Sequence, residues 1–138
     1  MIKVSITAEL SDDETARHFA QMVARCLSNL PASPLLGCRG GFERNPNAMA
    51  AGIEKFHVRM PDEEAWPSHT PINRRTSNNF LVFARHFYDD NYFQILALVT
   101  PEAHQRIDAM LPRLIDLAEN TFIEISEREL DKLEHFTI

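Results

Sequence analysis

Three places in the chain gather side chains able to grip a phosphate and move a proton. His57 lies between Lys55 and Arg59. Arg74-Arg75-Thr76-Ser77 joins two guanidinium groups to two hydroxyls. His104 falls in the first turn expected after Pro101, near Glu102. Histidine changes charge near neutral pH and serves as either acid or base. Arginine presents a planar fork of donors to phosphate oxygens. Such a set suits cleavage of an RNA phosphodiester by its own 2′-hydroxyl. One group accepts the hydroxyl proton, another protonates the leaving 5′-oxygen, and cations meet the charge on phosphorus. The route needs no metal and no cofactor. Trp66 adds a ring on which a base could stack. Each residue also has a plainer reading: His57 as an exposed strand residue, Arg74 and Arg75 as a solvated pair, His104 as a residue bonding its own helix start, Trp66 as cover for a core edge.

Other chemistries find little support. No phosphate-binding glycine loop, HExxH, CxxC or GxSxG motif occurs. His86 with Asp89-Asp90 reads as an acidic turn rather than a metal site. Cys26 and Cys38 are too few for a disulfide framework and read as reduced thiols.

The elements that must hold these residues can be read from periodicity. Ile2, Val4 and Ile6 alternate with polar residues, giving a half-buried first strand. Ser11-Asp12-Asp13-Glu14 reads as a capping box for a helix over about 12–29, ending before Pro31. Pro31, Pro34, Gly37, Gly40 and Gly41 punctuate a loop, with a short helix possible over 48–52. A second strand places Phe56, Val58 and Met60 on one face and Lys55, His57 and Arg59 on the other. Residues 61–71 form a loop, 80–87 a third strand, 88–91 a turn and 92–99 a central fourth strand. Thr100-Pro101 predicts a helix start by capping hydroxyl and first-turn proline, with Pro112 bending or dividing that helix. Ser126-Glu127-Arg128-Glu129 caps a short last helix. The order β-α-(α)-β-β-β-α-α predicts an α+β sandwich: an antiparallel meander with helices packed on one side, leaving the other face free.

Size and charge bound the reading. A chain of 138 residues predicts a single domain, large enough to fold without staples. No apolar run approaches the ~20 residues that span a bilayer. The N-terminus reads as a strand rather than a secretory signal, so a cytoplasmic location is expected. Net charge is −6, but residues 37–79 carry six Lys/Arg against five Asp/Glu, whereas residues 105–138 carry four against eight. Local field decides whether a phosphate docks.

Four segments, in order, resemble the YafO toxin family. Arg75-Thr76-Ser77-Asn78-Asn79-Phe80-Leu81-Val82-Phe83 is similar to its RTS/N…LVY motif, and Ile95 to His104 to its iLaiL-x-P-[DE]-x-H segment. Phe56-His57-Val58 falls where the family has H-I-H-L, and Pro34-Leu35-Leu36-Gly37 resembles P-x-x-F-G-R-D. The likeness runs over about 3–122. It implies a small RelE-like sandwich over 1–138, with 123–138 as an acidic helical extension. It also implies a type II toxin that cuts mRNA on the translating ribosome and is neutralised by a cognate antitoxin. His57, Arg75, Thr76, Ser77, Pro101 and His104 carry over. His57 and His104 become the proton-transfer candidates, their order undecided, and Arg75 the phosphate clamp. Arg59, Arg74, Thr76, Ser77 and Trp66 become RNA contacts. The chain departs from the pattern at Phe83, where the family has Tyr, at Lys55 for the first His, and at Gly37-Cys38-Arg39 for G-R-D.

Two further readings stand beside this endoribonuclease. A non-catalytic protein-binding domain of the same fold suits the acidic balance and the missing tyrosine. A ribonuclease acting on naked RNA is disfavoured by the low positive charge. The acidic tail is expected either to bind a basic antitoxin or to restrain the active face.

Overall fold

The computed structural model describes residues 1–138. Five strands form one sheet: β1 (Lys3–Ile6), β2 (Leu36–Gly41), β3 (Ile53–Val58), β4 (Phe80–Arg85) and β5 (Tyr92–Val99). Their order is β1-β5-β4-β3-β2. β1 runs parallel to β5, and every other pairing is antiparallel. The helices are α1 (Glu14–Leu27), α2 (Pro46–Ala50), α3 (Ala103–Thr121) and α4 (Glu127–Leu130). The protein is thus an α+β sandwich of the small RelE-like kind, built around the expected meander β3-β4-β5.

β4 explains the layering. Five of its six residues are buried, and alternate side chains point to opposite faces. Phe80, Val82 and Ala84 join the larger cluster with Ile107, Leu111 and Leu114 of α3. α2 and α4 contribute Ala48 and Leu130 to that cluster, so the three later helices share one side of the sheet. Leu81 and Phe83 join Phe19, Ala20 and Val23 of α1 in a second cluster. α1 therefore covers part of the opposite face, which is not left bare. Each fully buried Phe or Leu stabilises the fold by roughly 1.5–3 kcal/mol.

Local chemistry differs from expectation at several ends. The cap of α1 is Asp13, which accepts from Ala16 N–H at 2.9 Å, while Ser11 Oγ donates back to Ala8 O. Segment 36–41 is a strand rather than a glycine loop. Gly37 is required by close approach: a Cβ there would lie 2.5 Å from Arg75 O and 2.8 Å from both His57 O and the Trp66 ring. β3 ends at Val58, because Arg59 N–H turns to Leu35 O. α3 starts at Ala103, not at Pro101. The chain enters it through a cis Thr100–Pro101 bond and a left-handed Glu102 (φ 58°). Thr100 Oγ1 faces Asn79 Oδ1 at 2.6 Å rather than capping the helix. Pro112 lies inside an undivided α3. Ser126 caps α4 as expected, accepting from Glu129 N–H.

The last residues belong to the sheet. Val4 and Phe136 exchange both backbone hydrogen bonds, at 3.0 and 2.8 Å, across the outer edge of β1. Arg17 pairs with Glu134 at 2.6 Å and lies over the Phe136 ring. No helix is long and apolar enough to cross a membrane.

Candidate active site

The end of β3, the start of β4 and the first turn of α3 meet because of register. His57 pairs with Phe80, and Phe80 with Val99, the last residue of β5. The short reversal at 100–102 then drops α3 beside Phe80. Its first N–H groups need outside partners, and the 77–79 segment supplies them. Ala103 N–H donates to Asn78 O at 3.0 Å, and His104 N–H donates to Asn78 Oδ1 at 2.8 Å. Asn79 ties the same segment to β3 by donating to Val58 O.

Phe80 is the ring around which the site is assembled. His57 packs edge-on to it with centroids 5.1 Å apart, and His104 does so at 4.7 Å. The two imidazoles are 5.7 Å apart. The ammonium of Lys55 lies 5.1 Å from the Phe80 ring and 4.4 Å from that of Phe42. One buried apolar ring therefore has three nitrogen groups about it. Lys55 donates to Gly41 O at 3.2 Å and belongs to no ion pair.

Burial acts on both basic groups here. It pushes the His57 imidazole below its ordinary value, against the Ser77 carbonyl, which favours the charged ring; Lys55 and His104 push it further down. Burial likewise lowers the Lys55 ammonium, opposed by Glu43 and Cys38. Lys55 and His104 open onto a cleft of about 470 Å³ between residues 41–45 and α3, whose lining also includes Glu43, Arg44, Phe80 and Asp108, whereas His57 lies behind Phe80 and does not line it.

The backbone of Ser77 touches both imidazoles. Its N–H donates to His57 Nδ1 at 2.9 Å. Its carbonyl oxygen lies 2.9 Å from that nitrogen and 3.2 Å from His104 Nε2. His104 itself is exposed, whereas His57 is only 8% exposed.

The remaining candidates are placed otherwise. Arg75 is 7% exposed, and its guanidinium donates to three carbonyls: Thr70 O at 3.0 Å, Ser33 O at 3.1 Å and Leu36 O at 3.0 Å. It ties the 70–77 segment to the start of β2 and does not share the cleft. Trp66 is buried beside Gly37, with the Arg59 guanidinium 4.7 Å from its ring and donating to Glu64 O. Ser77 Oγ donates to Val58 O at 2.8 Å. Arg74 and Thr76 are exposed on the surface. His86 is buried, with Nε2 at Ile125 O and Nδ1 accepting from Tyr88 and Asp89 N–H, so its ring is a joint of the fold. The C-terminal segment lies on the β1 edge, remote from the His57–His104 pair.

Sequence reasoning missed Lys55 and Arg44 as lining residues. Lys55 carried a signal: two residues before His57, it must share that side chain's face of the strand. Arg44 carried none, since only the packing of the 41–45 loop against α3 brings it to the cleft.

The family model described as toxin YafO of a type II toxin–antitoxin system matches residues 16–124. No curated protein matches, and no solved structure matches.

Proposed function

The chain belongs to the YafO toxin family of type II toxin–antitoxin systems, and from that premise we propose that it is a ribosome-dependent mRNA endoribonuclease acting by metal-independent 2′-hydroxyl attack. The observation that carries this reading is the pair of imidazoles 5.7 Å apart beside a lysine with no carboxylate partner. A cluster of three nitrogen groups around one apolar ring does little for folding. It suits an anion whose negative charge grows in the transition state.

On this reading His57 and His104 handle protons and hydrogen bonds at the scissile phosphate. Lys55 and Arg44 attract the backbone from the cleft wall. Arg75 acts one step away, as a positioning residue that holds the 70–77 segment. Arg59, Arg74, Thr76 and Ser77 lie on the neighbouring surface or loop, where Arg74 and Thr76 are free to meet RNA. Trp66 supports the loop rather than stacking on a base. The partners are mRNA on the ribosome and a cognate antitoxin, in the cytoplasm.

The burial of Arg75 and of His57 favours one competing reading, a binding domain of the same fold without catalysis. An in vitro translation reaction separates the two. Wild-type protein is expected to cut mRNA only when ribosomes are present, and His104→Ala to abolish the cut fragments while remaining folded. Intact mRNA with active wild-type translation arrest would instead support the binding domain. Cleavage of naked RNA would remove the ribosome from the mechanism.

A further inference from the structure

Resting on the nuclease reading above, we infer that Asn78 is the positioning residue of the site: it caps α3 across the fold and so holds the His104 imidazole at the cleft.

The need for such a residue arises at the entry to α3. The first N–H groups of a helix require partners outside it, and a side chain just before the helix ordinarily supplies one. Here Glu102, left-handed at φ 58°, makes no side-chain cap. Its carbonyl accepts from Gln105 and Arg106 N–H, which leaves the N–H groups of Ala103 and His104. Asn78 takes both. Its backbone carbonyl accepts from Ala103 at 3.0 Å, and its Oδ1 accepts from His104 at 2.8 Å. Its Nδ2 donates to Gln105 Oε1 at 3.0 Å. Both ends of the side-chain amide are thus engaged by the first turn of α3, so Asn78 acts through His104 rather than on a substrate.

The imidazole of His104 depends on that turn. The residue is exposed, and its ring is restrained by Ser77 O, 3.2 Å from Nε2, and by the edge-on Phe80 ring at 4.7 Å. Ser77 and Asn78 are neighbours, so one short segment fixes both the main chain and the ring. That segment is itself tied to β3. Ser77 Oγ and Asn79 Nδ2 both donate to Val58 O, and Asn79 Nδ2 also meets Glu63 Oε1 at 2.9 Å. β3 carries Lys55. The two nitrogen groups that line the cleft, Lys55 and His104, therefore come from separate elements, and Asn78 sets one against the other. Catalytic groups must be held closely, because a misplacement of about 1 Å costs on the order of 10²-fold in rate.

The test compares Asn78→Ala with Asn78→Asp. Aspartate keeps the acceptor for His104 N–H, and Gln105 can turn its amide to donate to it. Alanine keeps only the backbone carbonyl. The first arm needs no activity. It follows the ring peaks of His104 in ¹H–¹³C spectra, assigned by their loss in His104→Gln. In the wild type the Phe80 ring is expected to displace those peaks from the positions of a free histidine. The displacement should persist in Asn78→Asp and shrink in Asn78→Ala, at a temperature where melting curves show both variants folded. Unmoved peaks in Asn78→Ala overturn the proposal.

The second arm reads mRNA cleavage on ribosomes per folded protein. Asn78→Ala is expected to lower kcat by roughly 10–100-fold with KM little changed, because Lys55 and Arg44 still attract the backbone. Asn78→Asp is expected to recover most of that loss. Its pH dependence should also move to higher pH, since an added carboxylate beside His104 favours the charged imidazole. A wild-type kcat in Asn78→Ala overturns the proposal, as does an Asn78→Asp profile that coincides with the wild type. Should Asn78→Ala not fold, the profile of Asn78→Asp decides. If the ring peaks respond as expected and wild-type protein cuts no mRNA, the nuclease reading fails while the placement of the ring by Asn78 stands.

Discussion

The fate of single side chains here is decided by which atoms are left for them to bond. Arg75 meets three carbonyls and is almost wholly enclosed. Arg75→Ala is therefore expected to destabilise the protein by about 3 kcal/mol, since buried bonds to a charged donor are lost together. Urea denaturation checks this, and an unchanged midpoint would remove the structural role. Lys55→Ala should instead leave stability nearly intact and lower mRNA cleavage. His57 makes a further prediction through linkage. Its imidazole is held below the ordinary value by burial. As pH falls through the imidazole range near 6.5, the unfolded chain takes up a proton that the folded one refuses. Stability is thus present above that range and declines below it. The decline in urea midpoint between pH 7 and 5 should be shallower in His57→Gln than in the wild type. Tyr92, pushed up to about 12 chiefly by burial, acts at the other end of the scale. Its contribution is present below pH 10 and lost as pH rises toward 12.

At the level of elements, the ends of helices and strands were the hardest to read, because several side chains compete for each backbone group. Ser11 and Asp13 both suit a cap, and the 3-10 turn at Ala8–Leu10 draws Ser11 backward. Asp13→Ala should cost about 1 kcal/mol, whereas Ser11→Ala should cost much less; paired thermal melts would show it. The start of α3 is capped from a distance by Asn78, whose side chain accepts from His104 N–H 26 residues later, a partner that no local motif announces. The C-terminal segment is an element of the sheet. It covers the outer edge of β1 and buries Leu130. Removing residues 125–138 is expected to lower thermal stability and to expose a strand edge prone to pairing with other chains. Cleavage on ribosomes by the surviving folded fraction should be unchanged, and a gain in cleavage would instead reveal restraint of the site.

The whole molecule carries −6 and yet gathers Lys55, Arg44 and His104 at one cleft. Net charge governs solubility and long-range approach, whereas a ligand in the cleft meets the local field. If RNA engages there, association with ribosomes should weaken as salt rises, and Lys55→Ala should reduce the slope of that dependence by about one counterion. Family membership supports a cognate antitoxin as the natural partner. The sheet offers it a specific geometry: the β1 edge is occupied by the protein's own tail, while the β2 edge is not bridged by another strand.

Much of the architecture was legible from periodicity alone. β5 spans the residues its apolar run predicts, Tyr92–Val99, because a strand buried on both faces leaves a continuous signature. The α1 stripe, the Asp89–Asn91 turn and the Ser126 cap are likewise local properties, carried by neighbours in sequence. The segments around His57, Ser77 and His104 also marked candidate residues that the structure brings together. What only tertiary structure decided is how those residues meet. Gly37 reads as a loop until the backbone of Arg75 and His57 crowds it. Arg75 reads as a phosphate clamp until three carbonyls, two of them about 40 residues away, surround it. No local pattern foretells that the backbone of one residue, Ser77, would sit between two imidazoles 47 positions apart. Spacing along the chain fixes which face a side chain occupies, but its hydrogen-bond partners are chosen among atoms that become neighbours only on folding.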